Sequence, residues 1–348
     1  MINFYKNKKV LITGSSGFVG SWMSAILHNS GSKVYGLSLK ANTNPNLFDI
    51  LQLEKKIKQH YIDINDADKI KNIIRDIQPD IVFNLAAQPL VRESYRIPIE
   101  TFNTNIIGTL NVLHACSFLK NKVNFISITT DKCYENNEDG RNFNEFDAMG
   151  GKDPYSASKA CTEIVVKSYA LSFEDRNNLD ICTARAGNII GGGDWCKDRI
   201  VTDIVSSIIN KKDILLRSPN AIRPWQHVID VIIGYLKLGV FNADKDEVFE
   251  AFNFGPNKDN ELDVESLVKK FLVNWGGEDV SIKIDAGKNP PESSTLKLDS
   301  TKALKLLDWQ PEMTIDESIA LTADWYENYY NKNKDMYQFT IDQISDYI

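Results

Sequence analysis

A tyrosine and a lysine stand four residues apart in Asp153-Pro154-Tyr155-Ser156-Ala157-Ser158-Lys159. On a helix that spacing puts both side chains on one face. An ammonium held beside a phenol favours the phenolate and lowers its pKa toward neutrality. A phenolate can then take a proton from a sugar or alcohol hydroxyl. By itself the pair also reads as two surface residues one turn apart. A second group, Thr129-Thr130-Asp131-Lys132, stands where an apolar run over 124–129 should end. Carboxyl ends of parallel strands are where α/β sheets hold ligands. Thr130 can hydrogen-bond a sugar hydroxyl, and Asp131 and Lys132 put an acid next to a base. Without its context this group is equally a capped loop with a solvated ion pair.

The context is a nucleotide loop. Val10-Leu11-Ile12-Thr13 reads as a short buried strand, and Gly14, Gly17 and Gly20 follow it. Glycines there permit a tight turn, close approach of backbone to a pyrophosphate, and packing of the next helix on the strand. The helix start offers N–H groups to phosphates. The spacing is G-x-x-G-x-x-G, with Phe18 and Val19 between the last two glycines. Leu85-Ala86-Ala87-Gln88-Pro89 closes another buried strand with small residues that let backbone approach a cofactor. Asn105 is a polar group within an apolar helical face, and Asp63 and Ile64 end a further strand. The strand over 33–38 ends without the acidic residue that commonly holds an adenine ribose, and Lys40 is the nearby cation.

Strand signals at 10–13, 33–38, 57–64, 81–85, 124–129 and 180–185 alternate with helix signals at 20–29, 67–77, 99–119 and 155–173. This predicts an α/β fold, a Rossmann-type doubly wound parallel sheet. After residue 185 the chain becomes loop-rich, with shorter helices at 199–210, 228–240, 262–274 and 314–330. The expected division is a cofactor-binding domain over 1–185 and a smaller C-terminal substrate-binding lobe over 186–348, with interleaving possible. The stretch 327–334 reads as a solvated connector to a last segment. Net charge is −7, which argues against nucleic acid or an anionic membrane as the main partner. Five cysteines and four histidines show neither C-x-x-C nor H-x-x-x-H. Reduced thiols, no metal site and a cytoplasmic location are expected. Cys133 is expected to pack. No apolar run has membrane-spanning length.

The nucleotide loop, the Asn84-Leu85-Ala86-Ala87 turn and the Tyr155/Lys159 pair resemble the extended short-chain dehydrogenase/reductase superfamily, in its sugar epimerase/dehydratase branch. Within it, 86–92, Thr129-Thr130-Asp131-Lys132-Cys133-Tyr134, 185–195 and 223–228 are similar to the CDP-glucose 4,6-dehydratase family. Leu296-Lys297-Leu298-Asp299 and Gln343-Ile344 also fit it. The chain departs from that family at Ser15, Ser16 and Val19 of the loop, where the family usually has Gly-His-Thr-Gly-Phe-Lys-Gly, and over 291–295.

The resemblance implies NAD, touched by Gly14, Gly17, Phe18, Val19, Gly20, Asp63, Ile64, Leu85, Ala86, Ala87, Asn105, Thr129, Tyr155 and Lys159. It implies a sugar-nucleotide substrate, CDP-glucose favoured, held by Gln88, Asn188, Arg199, Arg217, Arg223 and Gln226. By the same resemblance Tyr155 takes the proton of the 4-hydroxyl while hydride leaves C4. The 4-ketone then acidifies C5, Lys132 is the base there, and Asp131 is the acid for the departing 6-hydroxyl. Hydride returns to C6. Other readings are a GDP- or UDP-sugar dehydratase, an epimerase of the same superfamily, and a non-catalytic nucleotide-sensing scaffold. An epimerase needs no acid/base pair beside Thr130. The resemblance also implies a homodimer built on helices 99–119 and 155–173. Ile106, Ile107, Leu110, Leu113, Val165, Val166 and Tyr169 are more apolar residues than one sheet-facing stripe needs.

Overall fold

In a computed structural model of the chain the described residues are 1–173, 178–244, 249–257, 261–276, 279–285, 287, 295–332 and 334–348. Seven strands form one sheet: β1 Lys9–Thr13, β2 Lys33–Ser38, β3 Lys58–Tyr61, β4 Ile81–Asn84, β5 Val123–Ile128, β6 Leu179–Ala186 and β7 Phe249–Phe254. Their order is β7-β6-β5-β4-β1-β2-β3, and all neighbours run parallel. β4 and β6 are buried along their whole length, as strands covered on both faces must be. The connections leave β1 in opposite directions, so the crevice between β1 and β4 is the switch point where such sheets bind ligands.

The helix Ala67–Ile77 shows how local sequence sets an element. Ile70, Ile74 and Ile77 recur on one face and are buried, and Asp66 caps the start by accepting from the Lys69 amide at 3.2 Å. Gln78, in the left-handed region at φ 53°, ends it before Pro79. Truncating Ile74 to alanine would cost about 2–5 kcal/mol.

Three expectations need correction. The helix over 99–119 is interrupted: a short helix Val91–Arg96 precedes it, and Pro98–Phe102 and Thr109–Cys116 are joined by a wide π turn, Asn103–Gly108. There the Asn105 carbonyl accepts from Thr162 Oγ1 at 2.9 Å. Of the apolar residues expected to face a partner, Leu113, Val166 and Tyr169 are buried in their own chain. Ile107 does face outward; Ile99, Ile164 and Leu171 on these helices, and Phe118 just past Cys116, are exposed too. The stretch 327–334 is not a connector throughout, because the helix Ile315–Asn331 occupies its first half; residue 333 lies outside the described residues. The following helix, Met336–Ser345, docks through a Trp325 Nε1 to Thr340 Oγ1 hydrogen bond of 2.9 Å.

A cut at residue 185 would divide the sheet, because β7 comes from the second half and pairs with β6. The second half also builds a smaller sheet in which Ile222–His227 lies between Asn188–Ile190 and Glu261–Asp263. Trp22, Trp225 and Trp325 belong to one hydrophobic cluster, so both halves share a core. Among the described residues, no helix is long and apolar enough to cross a membrane.

Candidate active site

The loop after β1 is built for a close ligand. Gly14 has φ +70°, and a Cβ there would lie 2.9 Å from the Ala86 nitrogen. Thr13 Oγ1 donates to Asn84 Oδ1 at 2.8 Å and accepts from the Ala86 amide at 3.0 Å, which locks the β1 and β4 loops together. A Cβ on Gly20 would fall 2.2 Å from the Gly14 carbonyl oxygen. Gly17 is the N-cap of the helix Phe18–Asn29 and supplies no side-chain cap. The helix start is therefore open to an anion. Phe18 packs toward Gly191, and Val19 is half-buried. Ile64 is buried beneath Gly108, whereas Asp63 is exposed and accepts from the Asn65 amide at 2.9 Å.

Ser38 ends β2 where a carboxylate is common. It accepts from Gln59 Nε2 at 3.0 Å, and Gln59 Oε1 accepts from Ser15 Oγ at 2.8 Å. This link from β3 to the nucleotide loop had no signal in the sequence, because it depends on strand register.

Leu85, Ala86 and Ala87 form the half-buried rim after β4. Gln88, expected at the substrate, holds its loop against the helix Pro98–Phe102. Its Oε1 accepts from the Leu90 amide at 2.6 Å, and its Nε2 donates to Thr101 Oγ1 at 2.9 Å. Asn105, expected at the cofactor, braces the rim of that site. It accepts from the Gln88 amide at 2.8 Å and donates to Ser158 Oγ at 2.8 Å. Ser158 in turn donates to the Tyr155 carbonyl at 2.7 Å. Asn105 thus ties the β4 rim to the helix that carries Tyr155.

That helix, Pro154–Ser172, is capped by Asp153, which accepts from the Ser156 amide. Tyr155 occupies its first turn and Lys159 the next, and both are buried. Lys159 Nζ donates to the Ile128 carbonyl at 3.0 Å. Burial lowers its pKa to about 8, against the opposing pull of Glu163. The Tyr155 phenol is pushed up to about 12 by burial, although the Thr130 hydroxyl and the Arg199 charge pull it down. This differs from the sequence expectation of a pKa near neutrality. Desolvation outweighs the Thr130 hydrogen bond and the Arg199 charge.

Thr130 caps the turn Asp131–Cys133 and donates to Asp131 Oδ1 at 3.0 Å. Asp131 is 2 % exposed. Its Oδ2 is buried without a hydrogen-bond partner among the described residues. Burial raises its pKa, with Lys132, Thr130 and Arg223 opposing. A carboxyl raised in this way holds its proton to higher pH than a free one, as an acid catalyst must. Lys132 is half-buried beside it. Cys133 packs against Tyr134, Phe143 and Ala160. Thr129 donates to Glu163 and lies behind the site.

The second half closes over this edge. Asn188 sits half-buried on the strand that pairs with Trp225. Arg199 donates to Asp194 Oδ2 at 2.6 Å and lies within electrostatic reach of Tyr155. Arg223 is buried within reach of Asp131. Arg217 belongs to another cluster, where Asp198 Oδ1 accepts from it at 2.8 Å and from Arg92 at 3.1 Å. Asp203 stands near that cluster with its pKa raised to about 6 by burial. Gln226 is 1 % exposed and donates to the Phe254 carbonyl at 2.9 Å, leaving Oε1 buried without a partner among the described residues. Residues 291–294, where the sequence departs from its family, lie outside the described residues.

Several contributors were missed. Arg92, Asp194 and Asp198 gained their roles only when distant segments met. Tyr235 carries a buried hydroxyl, unpartnered among the described residues, in electrostatic contact with Tyr155 and Asp131. Glu163 had a legible signal, since it follows Lys159 by four residues on the same helix face.

The family model described as GDP-mannose 4,6 dehydratase matches residues 11–322. The chain belongs to this family. It is 40% identical over 99% of its length to the CDP-glucose 4,6-dehydratase of Salmonella typhimurium, covering 98% of that protein. Among solved structures, an epimerase of Methanothermobacter thermautotrophicus superposes with a TM-score of 0.80 at 23% identity, over 94% of this chain and 95% of the other. A dTDP-glucose 4,6-dehydratase of Bacillus anthracis, solved with NAD, gives a TM-score of 0.75 at 20% identity, over 93% and 98%. Those two likenesses speak for the GDP-mannose 4,6 dehydratase family's fold.

Proposed function

We propose that this protein is an NAD-dependent sugar-nucleotide 4,6-dehydratase, a hydro-lyase that converts CDP-D-glucose to CDP-4-dehydro-6-deoxy-D-glucose and water. The observation that carries this reading is Asp131: a buried carboxyl, raised in pKa and with one unpartnered oxygen among the described residues, beside Thr130 and Tyr155. Epimerisation at C4 has no use for a second acid there, whereas loss of the 6-hydroxyl requires one.

The residues fit a dinucleotide. Gly14 and Gly20 let the loop, the β4 rim and the helix close up without side chains between them, and the uncapped helix start supports pyrophosphate binding. Gly14, Gly17, Phe18, Val19, Gly20, Leu85, Ala86, Ala87, Tyr155 and Lys159 would hold it, with Asp63 and Ile64 on the adenosine side. NAD bound there supplies a reversible hydride acceptor, so no net reductant is consumed. Tyr155 takes the proton of the 4-hydroxyl, and Thr130 shares that hydrogen bond. The Lys159 ammonium favours the phenolate. Lys132 removes the proton from C5, next to the new ketone. Asp131 gives its proton to the 6-oxygen, which departs as water; the hydride held at this site would return to C6, and Lys132 returns its proton to C5. Arg199, Arg223 and Asn188 face the diphosphate and sugar, and Arg217 with Arg92 the rest of the nucleotide. Residues 1–185 together with β7 form the cofactor part, and the rest of the second half the substrate part.

The preference for CDP-glucose is supported by the 40% identity to the Salmonella enzyme. The five free thiols support work in the cytoplasm, in deoxysugar biosynthesis. The outward Ile99, Ile107, Ile164 and Leu171 support a homodimer through these helices. Light scattering at micromolar concentration is expected to give twice the chain mass; a monomer mass would refute it.

The deciding experiment incubates the protein with a panel of sugar nucleotides and a catalytic amount of NAD. The readout is the alkaline absorbance of a 4-keto-6-deoxy sugar. CDP-glucose is expected to turn over fastest, with slower turnover of a second pyrimidine nucleotide. An unpaired polar group on the wrong base costs about 1–3 kcal/mol. A requirement for stoichiometric NADPH would sink the dehydratase reading. Preference for a GDP- or UDP-sugar would keep the chemistry and overturn the substrate.

A further inference from the structure

We propose that Glu163 is a positioning residue for the proton chemistry: its buried carboxylate keeps Lys159 in the ammonium form and ties the Thr129–Lys132 corner to the helix that carries Tyr155. The inference rests on the reading of Lys159 as the cation that serves Tyr155.

Glu163 lies one turn beyond Lys159 and is 2 % exposed. One of its oxygens accepts from Thr129, the residue before Thr130. The other accepts from Thr183 Oγ1 at 2.8 Å and Arg185 Nη2 at 2.7 Å. Arg185 Nη1 continues to the Tyr134 hydroxyl at 2.7 Å, and Tyr134 donates to Asn253 Oδ1 at 2.7 Å. One carboxylate thus joins the catalytic helix, the end of β5 and β6, and through Arg185 the strand β7. Stability alone does not demand such a pair. Buried ion pairs are often replaceable by well-packed apolar residues without loss. What an apolar replacement would not supply is a fixed negative charge near Lys159.

The groups that face Lys159 are few. On its own helix it is Glu163, one turn on. From the turn after β5 comes Cys133, and the Ile128 carbonyl at the end of β5 takes the ammonium hydrogen bond. Arg185, from β6, faces Glu163. Burial pushes the Cys133 thiol and the Tyr155 phenol up. Glu163, ion-paired with Arg185 at 2.7 Å, is the carboxylate among these groups. It opposes the desolvation that brings Lys159 down to about 8. Without that anion the lysine loses its proton at lower pH, and with it the ammonium that serves Tyr155.

The test uses the full chain and two variants, Glu163→Gln and the double variant Glu163→Gln/Arg185→Met. The double variant removes the Arg185 charge that Glu163→Gln alone would strand, and carries the measurement if the single one fails to fold. The Lys159 ε-carbon is followed by NMR against pH, its signal identified by its loss in Lys159→Met. In either variant the titration midpoint is expected to fall by about one pH unit or more, a tenfold loss of proton affinity. The alkaline limb of kcat/KM is expected to move down with it. A wild-type midpoint in a folded variant would overturn the hold of Glu163 on Lys159 and leave the function reading intact. A lowered midpoint with an unmoved alkaline limb would instead overturn the part given to Lys159, and the proposal with it.

Discussion

Replacing Asp131 by asparagine separates activity from stability at a single atom. The carboxyl is 2 % exposed, Oδ1 accepts from Thr130 at 3.0 Å, and Oδ2 is buried without a partner among the described residues. Asparagine keeps the shape and, through its carbonyl oxygen, the Thr130 hydrogen bond. It removes only the acidic proton. If Asp131 is the acid for the departing 6-hydroxyl, kcat falls by about 10²–10⁴-fold. Stability is expected to move the other way. Burial raises the Asp131 pKa, so the folded chain binds this proton more tightly than the unfolded chain. The stabilising contribution is fully present below the ordinary carboxylate pKa. It is lost as pH rises through the raised, folded value. At neutral pH the wild type therefore carries either a buried charge or a retained proton that the unfolded chain would shed. The asparagine side chain carries neither. The asparagine Nδ2 takes the unpartnered place of Oδ2, so the gain is loss of the buried charge alone, and each ~1 kcal/mol of it raises Tm by roughly 2 °C for a domain of this size. The assays are 4-keto product formation from CDP-glucose and thermal unfolding followed from pH 4 to 8. The variant should melt at or above the wild type at pH 8, and the gap should close toward pH 4. Activity within a few-fold of wild type, or a melting temperature several degrees lower at pH 8, would refute the reasoning.

Tyr155→Phe removes only the phenolic oxygen, so turnover should fall by about 10²-fold or more while calorimetric affinity for the sugar nucleotide stays within a few-fold; near-normal turnover would end the role of Tyr155 as base. Lys132→Ala should depress solvent deuterium exchange at C5 more steeply than oxidation at C4, and an equal loss of both would make Lys132 structural. Gly20→Ala places a Cβ 2.2 Å from the Gly14 carbonyl oxygen. It should weaken NAD binding by more than tenfold and lower the melting temperature, so unchanged affinity by fluorescence titration would show that the loop is not the cradle.

Much of the scaffold was written in local sequence. Alternation of buried runs with helical stripes placed six of the seven sheet strands, because strands covered on both faces must be apolar and helices must show one face. The helix carrying Tyr155 was legible from Asp153, Pro154 and the spacing to Lys159, since capping and side-chain facing are local properties. Gly14, Gly17 and Gly20 were legible from their spacing after a buried run, and at Gly14 and Gly20 backbone crowding leaves no room for a side chain. What depends on distant segments was not. Phe249–Phe254 has no local mark that assigns it to the central sheet rather than to the lobe; only its register against β6 does so. Gln88 and Asn105 are ordinary amides in sequence, and their use as braces follows from where loop and helix meet. The pKa of Tyr155 reversed the local expectation. Four residues of spacing bring a cation near, but desolvation is set by every element that covers the phenol. Residue types and spacing thus determined which groups this chain can offer to chemistry. The tertiary structure alone decided their protonation, because burial and the charges that arrive from other elements are properties of the assembled fold.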